Sequence, residues 1–297
     1  MDIPATNALK RRVFMETQKK QNLTLALAGA IVSLLGIITT IVGYQLNKDG
    51  EITSEDKVLF AGYFLVIIGI VLLTNGIIRL CSKKEAVKYS ASDRTKRLAY
   101  ASLFAALSYI GFQYFRFDLA VGSEKTAFHL GNTFVVLAAL FLGGTWGGMA
   151  GAIGLTLADF TSGYATSAPK TFFLKLCIGL IVGLVAHTIF HISRAQRSGR
   201  ILCGVLLASI CGLAFNIIAD PLVGYVYKQY LFGIPQDIAK TLAKLSGLTT
   251  GVNAVLSAAA AVAVYTALRP ALEKSGLFFR LEAAPDGANA KPQKVFS

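Results

Sequence analysis

The stretch LADFTSGYATSAPKTFFLK, Leu157 to Lys175, sets an acid, Asp159, near the end of one apolar run and a base, Lys175, inside the next. Opposite charges placed this way have three uses. They can form a structural ion pair, the Lys175 stem can carry its ammonium out to water, or both can wall a polar pocket that meets a ligand. A charge inside a bilayer costs about 2.5–3.5 kcal/mol on insertion scales unless it pairs or reaches water. Further polar residues fall at the same level of the apolar runs. His129 and Asn132 begin one, Asn216 and Asp220 end one before Pro221, and Asn253 begins the last. Tyr109, Phe112, Tyr114 and Phe115 close an earlier run and offer rings for stacking on a cyclic ligand. His129, Asn132, Asp159, Lys175, Asn216, Asp220 and Asn253 are therefore the candidate substrate-binding set.

Motifs for covalent or metal chemistry are missing. The chain has no G-x-x-x-x-G-K-[ST] phosphate loop, no H-E-x-x-H and no G-x-S-x-G. His187 and His191 stand at i, i+4, a spacing that can hold a metal, but no carboxylate or thiolate accompanies them and Arg194 follows. They read as interfacial histidines. Cys81, Cys177, Cys203 and Cys211 lie in or at the ends of apolar runs without a C-x-x-C, and read as small core residues. No catalytic residue, metal site or cofactor is expected.

The elements that must position the polar set are membrane helices. Of 297 residues, 54% are hydrophobic and only 15% charged, against about 25% charged in a soluble globule. Mean hydropathy is +0.59. Candidate spans are Leu23–Leu46, Val58–Cys81, Leu98–Phe115, Leu130–Leu142, Trp146–Phe160, Thr171–His191, Ile201–Val226 and Gly247–Leu268. The longer ones cross a core of about 30 Å at roughly 1.5 Å per residue. The first is no cleavable signal: a polar leader of 22 residues precedes it and it exceeds a signal's apolar core. Leu130 to Phe160 reads as two short spans, because the paired glycines of GGTWGG favour a break over one long helix.

Net charge is +13, and the positions of the bases give it meaning. With eight spans and the N-terminus inside, 20 of the 29 Lys and Arg residues fall on the cytoplasmic side. The charge is an orientation signal and does not point to nucleic acid. Residues 1–81 read as an N-terminal tail and two-helix transmembrane hairpin, 82–97 as a basic cytoplasmic linker, 98–268 as a six-helix membrane domain, and 269–297 as a disordered cytoplasmic tail. IPQDIAKTLAKLSG, with Ile238, Leu242 and Leu245 on one face, reads as a short amphipathic helix on the outer surface, either packed there or serving as a lid.

Helices in lipid meet through small residues. Ala101-x-x-x-Ala105, with Ser108 on the same face, opens the six-helix unit, and Gly143/Gly147, Gly147/Gly151 and Gly179/Gly183 are further pairs. A six-helix unit with an A-x-x-x-A first helix, followed by FHLGNTFVVLAALFLGGTWGGMAGAIGLTLADFTSGYATSAPKTFFLK, closely resembles the substrate-binding S component of energy-coupling factor (ECF) vitamin transporters. The similarity runs from about Lys96 to Leu268 and is nearest to the riboflavin-type subgroup. It is most specific from His129 to Lys175.

The resemblance implies an all-α polytopic membrane protein, a six-helix S-component-like bundle preceded by an extra two-helix transmembrane hairpin. It also implies a protein that is no enzyme. It would capture a vitamin or related micronutrient near the outer surface and associate with a transmembrane coupling subunit and two cytoplasmic ATPases. The A-x-x-x-A face, here Ala101 and Ala105, would meet the coupling subunit. Two other classes compete: a free-standing, ion-coupled secondary transporter in which Asp159, Lys175 and Asp220 relay protons, and a membrane scaffold that transports nothing. The scaffold leaves the polar level unexplained.

Overall fold

Glycine spacing decides how the first two helices meet. In the computed structural model, which describes residues 3–46, 57–81, 91–121, 124–279 and 281, α1 (Ile3–Leu46) carries Gly29, Gly36 and Gly43. The second helix, α2 (Lys57–Cys81), carries Gly62, Gly69 and Gly76. Each set repeats every seven residues, so all six glycines fall on one antiparallel seam. A Cβ added at Gly36 would stand 2.5 Å from the Val66 nitrogen, and one at Gly69 only 2.4 Å from the Ser33 nitrogen. The two backbones touch. Apolar side chains such as Ile31, Leu34, Ile38 and Phe64 remain exposed on the outside of the hairpin, as lipid contact requires.

The six-helix unit follows as α3 (Ala91–Gln113), α4 (Gly131–Leu142), α5 (Gly144–Thr161), α6 (Ala168–Gly183), α7 (Ser198–Val226) and α8 (Gln236–Lys274). Five helical stretches among the described residues are long and apolar enough to cross a membrane, including the hairpin's two. The expected break in GGTWGG is present at Gly143, whose φ of +84° suits only glycine. It folds α4 back on α5, with Gly147 against the backbone of Ala138 and Ala139 and Gly151 against Val135. Gly179 and Gly183 meet Gly148 and Gly144 in the same manner, joining α6 to α5. Eleven residues of the twelve in α4 are buried, so α4 is the central helix and its Asn132 and Thr133 lie inside protein.

Several expected boundaries move. From Ala91 onward the supposed linker is the first turns of α3, favoured by Asp93 near the helix N-terminus, while 82–90 lie outside the described residues. The amphipathic segment after Pro235 is continuous with the last span as α8 and packs through Ala239 and Leu242. That helix runs past 268 to Lys274, because Arg269 is buried and donates to the carbonyls of Ile192 (2.7 Å) and Ala195 (3.0 Å). Phe278 then turns back onto Phe141, so order persists beyond the expected start of the tail; 282–297 lie outside the described residues. Pro221 does not end α7, which continues to Val226 and then widens into a π-helical turn, Tyr227–Leu231. Cys203 and Cys211 sit on the exposed side of α7, not in the core.

One element escaped the periodicity reading altogether. Arg116–Val121 (β1) and Glu124–His129 (β2) form an antiparallel strand pair between α3 and α4, with Arg116 opposite His129. Tyr114 and Phe115 lie in the turn before β1 and are exposed, so neither stacks on anything inside the bundle.

Candidate functional site

The strand pair is fastened over the ends of the helices by one side chain. Asn253 of α8 accepts the His129 N–H through Oδ1 at 2.9 Å and donates from Nδ2 to the Ala127 carbonyl at 3.0 Å. The Thr126 and Thr249 hydroxyls meet at 3.0 Å beside it. β2 is thereby stitched along α8. His129 accepts the Gly131 N–H at Nδ1 (3.1 Å), which leaves the hydrogen of a neutral ring on Nε2. Burial, and next the positive charge of Lys175, hold the imidazole below its ordinary value, at about 3. It is neutral at physiological pH. Phe112 backs the ring at 4.7 Å.

A second knot joins three helices. Asp220 of α7 pairs with Lys170 of α6 at 3.1 Å through Oδ1, and its Oδ2 accepts hydrogen bonds from Ser246 and Thr250 of α8. Both carboxylate oxygens are satisfied, as a buried charge requires. The expected partner of Lys175, Asp159, does not form the pair: the acid of α7 is bonded to a different lysine five residues earlier in α6.

Between these knots lies a cavity, and all seven candidate residues line it. Counted by where a water centre can go, it measures about 100 Å³. At about 10–15 Å³ per water on that measure, there is room for several waters or one small organic molecule. Phe112, Leu155 and Leu242 supply apolar wall, and Thr126, Tyr164, Ser167, Lys170 and Thr171 add polar atoms. Asn253 and Asp220 spend their hydrogen-bonding groups on the protein. The others do not. Asn132 Oδ1, Asp159 Oδ2 and Asn216 Oδ1 are buried with no hydrogen-bond partner among the described residues. Asp159 and Lys175 are 4% and 7% exposed, and no described group hydrogen-bonds or pairs with the Lys175 ammonium. Buried polar groups of this kind cost free energy unless something from outside answers them.

A profile for the ECF-type riboflavin transporter S component matches residues 92–270, more than half of the chain. The chain belongs to that family. Among solved structures, an S component for biotin from an ECF-type ABC transporter aligns with 19% identity and a TM-score of 0.43, covering 62% of this chain and 95% of that one. A search of curated proteins returns no match. The S-component unit is thus the part from α3 to α8, and the α1–α2 hairpin stands outside the matched region. The chain is a multi-pass membrane protein of a transporter family whose S components bind substrate and are not enzymes.

Ala101 and Ala105, which the resemblance assigns to a partner face, differ in exposure. Ala101 is 9% exposed within the core cluster, and a Cβ on Gly154 would stand 2.1 Å from the Ala105 carbonyl. The Ala105 side chain itself is half-buried, so α5 covers this face of α3 only in part. His187 lies with Nε2 3.1 Å from the Ala139 carbonyl, inside the bundle.

Lys170, Thr126 and Tyr164 were missed in the sequence. Lys170 stood in view, next to Pro169 in the opening stretch, but pairing across fifty residues left no local signal. The two lysines make opposite expectations. Lys170→Met strands the Asp220 carboxylate and lowers stability by about 3–5 kcal/mol. Lys175→Met strands nothing and leaves the ligand-free protein at least as stable as wild type. Thermal unfolding of the two purified variants without ligand checks both.

Proposed function

We propose that this chain is the substrate-capture subunit of an ATP-driven ECF importer, taking a vitamin or related micronutrient into the cavity between β2, α6, α7 and α8. The observation that carries the reading is the set of buried, unanswered groups lining one cavity: Asn132, Asp159, Lys175 and Asn216, from four different helices. A scaffold has no use for them. Family membership supports reading the occupant as a transported ligand.

The cavity end faces outward in this reading, because the other end carries Arg194, Arg197, Arg200 and Arg269, and cytoplasmic loops are enriched in basic residues. Both termini are then cytoplasmic. The protein has no phosphate loop, so ATP hydrolysis falls to two partner ATPases, coupled through a membrane subunit. With Ala101 buried, in this reading that subunit docks on the side of α3 where Ala99, Ser102 and Ala106 are exposed. Small side chains there let a second helix approach closely.

Affinity purification of the full chain from its native membrane is expected to bring down a membrane subunit and ATPases. In Ser102→Leu/Ala106→Leu their recovery falls while the purified variant keeps its ligand. Recovery of the chain alone, with uptake sustained by an ion gradient, would replace this reading with the secondary transporter.

A further inference from the structure

We infer that the transported ligand is an anion, its negative group seated on Lys175 and its hydrogen-bond donors on Asn132, Asn216 and Asp159; this rests on the reading of the cavity as the transport site. The cavity wall carries four lysines, Lys125, Lys170, Lys175 and Lys228, against two acids, Asp159 and Asp220. Lys170 is spent on Asp220, and Lys125 donates to the Ser162 carbonyl at 3.1 Å while lying over the Tyr164 ring. Lys175 is held at nine-tenths burial with no described partner. An ammonium kept that deep is answered by a carboxylate or phosphate oxygen better than by any neutral acceptor. The unanswered oxygens of Asn132 and Asn216 accept only, so the remainder of the ligand presents N–H or O–H groups to them. A ring bearing an acid group and an amide-like or hydroxyl edge meets both demands.

The test needs no knowledge of the ligand. Ser167 lines the cavity, and Ser167→Cys in a background without native cysteines places a thiol there. An anionic methanethiosulfonate (2-sulfonatoethyl) is expected to modify it about tenfold or more faster than the cationic trimethylammonium analogue, as charge focusing in a cleft predicts. Lys175→Met collapses that ratio. A faster cation, a ratio indifferent to Lys175→Met, or no reaction with either reagent overturns the inference. If that happens while the coupling subunit still co-purifies, the anion assignment fails and the importer reading stands; if no coupling subunit co-purifies, the underlying reading fails as well.

A separate observation concerns the hairpin. Phe232, in the connection from α7 to α8, is 7% exposed, with Tyr44 of α1 at 5.0 Å and Tyr227 at 5.1 Å between ring centres. Leu59 and Tyr63 of α2 are fully buried in the same cluster, and Phe60 and Phe64 lie against Phe160 at the end of α5. The connection begins in the wide turn that places Lys228 on the cavity wall. The geometry points to the α1–α2 hairpin as a positioning element that holds this connection, and with it one wall of the cavity. Tyr44 does not line the cavity, so Tyr44→Ala reaches it through the cluster of Phe232, Leu59 and Tyr63 against which Tyr44 packs. It is expected to speed modification of Ser167→Cys several-fold without shifting the thermal midpoint. Tyr44→Phe restores the wild-type rate, and Val42→Ala on the exposed side changes nothing. An unaltered rate in Tyr44→Ala overturns the assignment.

Discussion

The bond between Lys170 and Asp220 is the constraint on which the rest depends. A carboxylate drawn into apolar surroundings is tolerated only when its oxygens are held, and side chains from two neighbouring helices hold this one. The pair fixes α6 against α7 and both against α8 at the level of the cavity. It also consumes an acid that a second lysine could have used. Lys175 is left with its charge uncompensated by any described contact, and the cavity inherits that charge. The same division runs through the other polar residues. Asn253 and Asp220 build the site; Asn132, Asp159, Lys175, Asn216 and His129 Nε2 are what the site offers.

Membership of the common wall was legible in the sequence, since depth along an apolar run is a one-dimensional property. His129 opens a run and Asp220 closes one, and a bundle of similar helices brings such ends together. Role was not legible. Whether Lys175 pairs with Asp159 depends on which face of α6 meets α5, and Lys170, five residues earlier, is the lysine that reaches an acid, Asp220 of α7. For α3 the same limit applies: it carries small residues on two faces, and only the packing of Gly154 shows which one lies against α5. The break at Gly143 was readable because paired glycines disfavour helix. The strand pair was not, because six-residue strands in a chain dominated by long apolar helices give little periodicity to read. The glycines of α1 and α2 recur at intervals of seven on both helices, but a repeat alone does not say which helix it faces; the contacts of Gly36 and Gly69 do.

The matched family accounts for α3 to α8, and the hairpin lies outside the matched region. Its two helices make a unit closed by backbone contact, apolar outside, that touches the remainder through aromatic side chains at the cavity level and through Ile67, Ile70 and Val71 against Ala152, Phe172 and Leu176. An element used only as an anchor has no need of Leu59 and Tyr63 at zero exposure against the α7–α8 connection. Its docking places a lipid-facing unit beside the π-helical turn that carries Lys228 on the cavity wall.

The central claim is that a small molecule occupies the cavity and answers its buried polar groups. Mass spectrometry of small molecules released from the purified protein tests it most directly. The account predicts one retained compound in near-equal amount with the wild-type protein, lost from both Lys175→Met and Asn216→Ala. A compound retained equally by wild type and both variants would place binding elsewhere and contradict the account.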